Sequence, residues 1–330
     1  METLELTDTL AFSTVQPKRE HVPALHMHRG PVLDCGGTLL FLVWQTAYLR
    51  KYSRKQYMSS STTHDQPLWE NPVRKLLREG KPAIGLTITV NSVEIAAQAA
   101  SMGFDFLWLE MEHSPLTLET LRNIVLATRG LRAVPFARVP VNELWTAKRV
   151  LDSGVLGVIF PFSSTPELAR QAVAACKYPP AGRRGSGSRL ASFSWPAPEG
   201  YNDFADRNVM VVTVIEEARA VEKIDEIAAT PGLDVLFIGT SDLSFSLGLR
   251  GEQDHPTLAA AIAKVAEAGK RHNKFLGLTV GSAEQVKKYI DQGFLFFQAL
   301  TELNLLAAGV RQLLDPLGKA SSAPKTQAFY

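Results

Sequence analysis

The sequence predicts a (β/α)8 barrel with one extra helix in front of it, spanning residues 67–318 of a 330-residue chain. Three observations predict it. From residue 83 onward, eight short apolar runs alternate with eight amphipathic stretches, which is the pattern of repeated strand-then-helix units. The apolar runs are nearly continuous, as in parallel strands covered on both faces. Cap residues stand where several helices should start, and glycines where several should stop. A doubly wound open sheet is the alternative. Its dinucleotide-binding form needs a glycine-rich turn that opens a helix after the first strand, and this chain has none there.

The elements follow in order. Residues 69–80 read as an amphipathic helix, with Val73, Leu76 and Leu77 on one face and Gly80 as its stop. Residues 83–90 are the first strand. Ser92 caps a helix running to Ala100 and closed by Gly103. Residues 106–111 are the second strand. Thr117 begins a helix with Glu119 and Thr120 in its first turn, ending at Gly130. The pattern then repeats with strands over 134–139 and 157–162 and helices over 142–153 and 165–176. A long loop is expected over 178–208. Strands at 209–215, 234–238, 275–280 and 294–299 follow, each trailed by a helix: 218–229, 256–272, 282–292 and 304–317.

Composition excludes several classes. Hydrophobic residues at 45% and charged residues at 21% exclude a disordered or fibrous chain. A net charge of +2, from 35 basic and 33 acidic residues, gives no reason to expect nucleic acid as a partner. Two cysteines, Cys35 and Cys176, are too few for a disulfide framework, so a reducing, cytoplasmic setting is expected. Residues 1–66 show no sustained period and are expected to be a poorly ordered extension, as is the tail 319–330. The extension holds four of the seven histidines, His21, His26, His28 and His64, which is not a closed metal site. Its apolar run 38–49, followed by Arg50, Lys51, Arg54 and Lys55, is too short to span a bilayer. It leaves open an interfacial anchor through residues 38–55, or a natural start at Met58.

In such a barrel chemistry belongs at the C-terminal ends of the strands. The second strand ends in Glu110-Met-Glu112-His113, the third at Arg138, the fifth in Glu216-Glu217, and the sixth is followed by Gly239-Thr-Ser-Asp242. Four strands thus bring ionisable groups to one face. Glu216 and Asp242 offer hard oxygen ligands that suit Mg²⁺ or Mn²⁺. The alternative is that each pairs with an arginine or caps a helix. Arg138, inside an apolar strand, needs an anionic partner, either a substrate oxyanion or Glu112. His113 beside acids suits proton transfer near neutral pH. No strand ends in lysine, and Lys148, Lys177, Lys223 and Lys274 fall on helices or before strands, so a Schiff-base route lacks its nucleophile. Arg183-Arg-Gly-Ser-Gly187 is either a loop that closes over an anionic substrate or an ordinary surface loop.

Five segments carry a resemblance: Phe104-Asp-Phe-Leu-Trp-Leu-Glu-Met-Glu-His-Ser-Pro115, Ala137-Arg-Val-Pro140, Lys177-Tyr-Pro-Pro-Ala-Gly-Arg-Arg-Gly185, Val214-Ile-Glu216 and Phe237-Ile-Gly-Thr-Ser-Asp-Leu-Ser244. In this order and spacing they resemble the HpcH/HpaI family of metal-dependent class II aldolases, over about residues 70–318. The resemblance implies a divalent cofactor on Glu216 and Asp242 (Mg²⁺ or Mn²⁺, with Co²⁺ or Zn²⁺ as other fits). It implies His113 as the base, Arg138 at the developing oxyanion, and the turn Gly239, Thr240, Ser241 around the carboxylate of a 2-oxo acid. It further implies a small-molecule 2-oxo acid and an aldehyde as partners, and a homo-oligomer in which the last helix takes part.

Two positions depart from the family pattern. Glu110, assigned to substrate binding, stands where an aspartate is usual, and Val214 where a glutamine is usual. Both changes should reshape the acceptor pocket. The alternatives are an oxaloacetate-decarboxylating, bond-forming enzyme of the macrophomate synthase kind, a citrate-lyase-type enzyme on a CoA thioester, and a non-catalytic barrel.

Overall fold

The structure, a computed structural model, describes residues 68–195 and 197–319. The expectations for residues 1–66, including the apolar run, the histidines and Met58, lie outside the described residues, as does the tail from 320 on. Helix α1 (Pro72–Arg78) is capped by Asn71 and leads into eight strands. These are β1 (Ala83–Ile88), β2 (Phe106–Glu110), β3 (Val134–Arg138), β4 (Gly157–Phe160), β5 (Met210–Ile215), β6 (Val235–Ile238), β7 (Phe275–Thr279) and β8 (Phe296–Thr301). All neighbours pair in parallel and β8 closes on β1, so the sheet is a barrel and not the open alternative.

Helices α2 (Val93–Ser101), α3 (Leu118–Ala127), α4 (Leu144–Ser153) and α5 (Pro166–Cys176) follow the first four strands. The expected caps form: Ser92, Thr117 and Thr165 side chains accept from the N–H groups of Ile95, Thr120 and Leu168. The stretch read as one loop holds two short helices, α6 (Arg189–Ser194) and α7 (Tyr201–Asn208). The helix expected over 218–229 divides at Lys223 into α8 (Ala218–Glu222) and α9 (Ile224–Ala228). The loop expected after β6 contains α10 (Thr240–Ser246), followed by α11 (Pro256–Arg271). Helices α12 (Ala283–Ile290) and α13 (Glu302–Leu314) complete the units. The last strand starts and ends two residues later than expected, because Thr301 both ends it and caps α13 through a capping box with Asn304.

Segment 178–208 joins the end of a helix to the start of a strand. In a parallel barrel such a link lies at the N-terminal face, away from the strand ends. Arg184 is buried there, its guanidinium 4.7 Å from the Tyr178 ring and 3.6 Å from Asp152 at the end of α4. The expectation that Arg183–Gly187 closes over a substrate therefore fails on topology.

The barrel interior is filled by rings. Phe106 stacks on Phe296 at 4.5 Å and lies 5.2 Å from Phe136, while Phe237 meets Trp108 at 4.9 Å. Gly85 and Gly157 make room for them: a Cβ on either would stand 2.2 Å from a ring carbon of Phe106 or Phe136. Large residues thus interlock with small ones across layers, leaving a packed core beneath the strand ends. Among the described residues no helix is long and apolar enough to cross a membrane.

Candidate active site

Strand alternation aims the site. On β2 the residues Phe106, Trp108 and Glu110 share the inward face; on β3 it is Phe136 and Arg138. Glu110 and Arg138 are direct register partners. Arg138 Nε donates to Glu110 Oε2 at 2.6 Å, and Nη1 lies 3.0 Å from Glu112 Oε2. Arg138 is only 5% exposed, so these charge-assisted bonds act in a medium of low polarity.

Glu110 is engaged on both oxygens. Oε2 also accepts from Trp108 Nε1 at 3.0 Å, and Oε1 accepts from the N–H groups of Glu112 (2.8 Å) and His113 (3.0 Å). It therefore fixes the turn that carries His113 and orients Arg138. Both oxygens have protein partners and the side chain is buried.

The His113 imidazole is part-exposed, with Nε2 3.5 Å from Glu112 Oε2. Burial, and then the charge of Arg138, lower its pKa, against the opposite pull of Glu110 and Asp242. Neutral imidazole is the form that accepts a proton.

Glu216 leaves the end of β5 at 2% exposure. Its Oε1 accepts from the Phe162 N–H at 2.5 Å. That bond explains why β4 stops two residues short of the expected end: Phe162 takes the left-handed conformation, φ 47°, and turns its N–H toward Glu216. Gly239 is needed beside it, since a Cβ there would lie 3.0 Å from Glu216 Cβ and 3.1 Å from Oε2. Glu217 points elsewhere, paired with Arg219 at 2.7 Å and with the Ser164 hydroxyl.

Asp242 lies in the first turn of α10. Glu216 is pushed up to about 7, first by burial and further by Asp242, against the pull of the Phe162 N–H and Arg138. Glu112 is likewise pushed up to about 7 by burial; Arg138 opposes this, and Glu216, Glu110 and Asp242 add to it. Four carboxylates therefore share one mouth, two of them in contact with the Arg138 guanidinium. That excess of negative charge fits a hard divalent cation, and the space that Gly239 keeps beside Glu216 Oε2 would be filled by any other residue. Among the described residues no three His, Cys, Asp or Glu side chains close on one point. Two acids would leave the other positions of a six-coordinate ion to water and substrate.

The turn at 239–241 follows β6 and opens α10. The Gly239 N–H is used within the sheet, donating to Ile215 O at 3.2 Å. The N–H groups of Thr240 and Ser241 open α10 and have no acceptor within the helix. The residues missed by sequence reasoning are Trp108 and the Phe162 N–H, while Glu112 pairs with Arg138, one of the two partners expected for it. Trp108 had a signal, since it stands two residues before Glu110 on the same strand face.

A family model described as HpcH/HpaI aldolase/citrate lyase matches residues 83–308. The hydroxypyruvate/pyruvate aldolase of Paraburkholderia phytofirmans is 32% identical over 251 residues, 74% of this chain and 96% of that protein. The 4-hydroxy-2-oxo-heptane-1,7-dioate aldolase of Escherichia coli is 32% identical over 261 residues, 79% of this chain and 100% of that protein. The crystal structure of an HpcH/HpaI aldolase/citrate lyase family protein from Burkholderia cenocepacia superposes with a TM-score of 0.70 at 33% identity, covering 75% of this chain and 99% of that one.

Proposed function

The chain belongs to the HpcH/HpaI aldolase/citrate lyase family, and we propose that it is a divalent-metal-dependent lyase joining or cleaving a 4-hydroxy-2-oxo acid. The smaller pieces are pyruvate, or a related 2-oxo acid, and an aldehyde. One observation supports the reading: Glu216, just past the end of β5, and Asp242, in the first turn after β6, share the mouth with Arg138 and His113, and the charge of Asp242 helps to raise the Glu216 carboxyl.

Glu216 and Asp242 would hold the cation, Mg²⁺ or Mn²⁺ by the hardness of their oxygens, with Co²⁺ and Zn²⁺ as further fits. Such an ion supplies Lewis acidity at the keto oxygen, which acidifies the neighbouring carbon. The chain's own groups do the rest. The N–H groups of Thr240 and Ser241 face the carboxylate of the 2-oxo acid. In cleavage His113 takes the proton of the C4 hydroxyl, the C3–C4 bond breaks, and C4 becomes the aldehyde carbonyl. The electron pair moves toward the C2 oxygen, where Arg138 holds the growing charge. The enolate then takes a proton from water at C3 to give pyruvate, and condensation runs the same steps backward. Glu110 and Trp108 keep Arg138 and His113 in register.

A homo-oligomer is part of this reading. Helix α13 buries only Glu302, while Leu306 and Leu313 stand 64% and 68% exposed, which supports burial against a second copy.

The test follows pyruvate C3–H exchange in D₂O by NMR, and aldol formation, with Mg²⁺ or Mn²⁺ and with EDTA. Metal-dependent turnover that is lost in Glu216→Gln and Asp242→Asn is expected. Full activity of either variant in EDTA, or activity confined to acyl-CoA substrates, would overturn the proposal.

A further inference from the structure

The site described so far occupies the β2, β3, β5 and β6 side of the mouth. The wall from β7, β8 and β1 carries a second polar group of its own. Thr279 Oγ1 donates to Gln298 Oε1 at 2.9 Å, Gln298 Nε2 donates to Thr87 Oγ1 at 3.0 Å, and Thr87 Oγ1 donates to Ala299 O at 3.2 Å. Thr87 and Gln298 are 2% and 4% exposed. Interior positions across the barrel, Ile159, Val212 and Val214, are apolar and buried. Buried polar groups cost stability unless satisfied, so a barrel core does not gain by carrying Thr87 and Gln298 for packing alone.

Register puts this wall beside the metal-binding acid. Ile215 pairs with Ile238, Ile238 with Leu278, and Thr279 with Gln298. One residue further along each strand, Glu216, Gly239, Thr279 and Gln298 follow one another around the mouth. All four face inward: Gly239 toward Glu216 and Val214, and Gln298 one alternation above the stacked Phe296. Thr279 is only half-buried. An inward side chain in a closed barrel packed with rings below it can reach solvent only through the mouth.

The hydrogen-bond inventory of this wall then decides what it accepts. The Thr279 hydroxyl uses its proton on Gln298 and keeps lone pairs to accept. Gln298 Nε2 carries two hydrogens and, among the described residues, makes one bond. One acceptor next to one donor is the complement of a hydroxyl group. A carboxylate would need donors only, and an alkyl chain would leave both unmet. We propose that Thr279 and Gln298, backed by Thr87, form a subsite for a hydroxyl on the substrate's carbon chain, and that this wall selects hydroxylated substrates over their deoxy analogues. The subsite rests on the lyase reading above.

The experiment uses the full chain with Mg²⁺ and two matched pairs: glycolaldehyde against acetaldehyde as acceptor of pyruvate, and hydroxypyruvate against pyruvate as donor to one aldehyde. In Thr279→Val and in Gln298→Leu the hydroxylated-to-plain ratio of kcat/KM should fall about tenfold relative to wild type in one pair, the loss of one neutral hydrogen bond. Thr279→Ser should retain the wild-type ratio. The pair that responds tells whether the hydroxyl lies on the aldehyde or on the 2-oxo acid. Thr279→Val matches the shape of threonine and carries the reading if Gln298→Leu does not fold. Ratios within twofold of wild type in both pairs, or equal loss on all four substrates, would overturn the subsite. Persistent pyruvate C3–H exchange beside an unmoved ratio overturns the subsite alone, whereas absent exchange in wild type overturns the lyase reading and the subsite with it.

Discussion

Glu216 and Glu112 hold protons to about pH 7 in the folded chain, against an ordinary carboxylate value near 4.5. Between those two values the unfolded chain releases protons that the folded chain keeps. The metal-free protein should therefore lose stability as pH rises from about 4.5 through 7, by roughly 3 kcal/mol for the strongly buried Glu216. A divalent cation held by Glu216, as proposed, would take the place of the proton, so its stabilising effect should grow over the same window. Thermal melts at pH 5 and pH 8, in EDTA and in Mg²⁺, check this: the rise in Tm on adding Mg²⁺ should be larger at pH 8, and Glu216→Gln should remove most of the difference. Trp108→Phe removes one donor to Glu110 and should slow turnover by about tenfold, near the usual worth of one bond, with the fold intact. Steady-state kinetics beside a circular-dichroism melt separate the two effects. His113, Arg138, Glu216 and Asp242 were legible because each follows or ends an apolar run. The Phe162 N–H was not, because a backbone group leaves no mark in the sequence. The pairing of Glu112 with Arg138 was one of the two partners the sequence offered, because an arginine inside an apolar strand needs a nearby anion.

At the scale of elements, what could be read was what local chemistry dictates. Ser92, Thr117 and Thr165 announce helix starts because a side-chain oxygen must meet an otherwise unpaired N–H. The apolar runs announce strands because both faces are covered. Helices α6 and α7 were hidden because they are short, follow a Gly/Ser-rich stretch, and owe their placement to contacts distant in sequence. Phe204 of α7, for example, packs 5.3 Å from Trp69, well before the first strand. Strand interiors also hold a hidden demand. A methyl group at Gly157 would stand 2.2 Å from the Phe136 ring. Gly157→Ala should therefore destabilise by about 1–3 kcal/mol as ring and strand shift apart. Urea unfolding followed by tryptophan fluorescence should show a lower midpoint with an unchanged slope.

The eight-unit barrel could be read as a whole because every unit repeats one pattern. The exposure of the α13 leucines could not be read from spacing, since they look like those of any packed helix until the structure shows them uncovered. Leu306→Glu with Leu313→Glu should lower the mass seen by light scattering to that of a smaller species. The rings of Phe106, Phe136, Phe237 and Phe296 have a kinetic consequence. They make the barrel a cul-de-sac, so every molecule that enters must leave by the same door. If the 2-oxo acid binds deep in the mouth, as proposed, and the aldehyde above it, the order is a queue: first in, last out. During cleavage the aldehyde should depart first, making pyruvate a competitive inhibitor against the hydroxy-oxo acid and the aldehyde a non-competitive one.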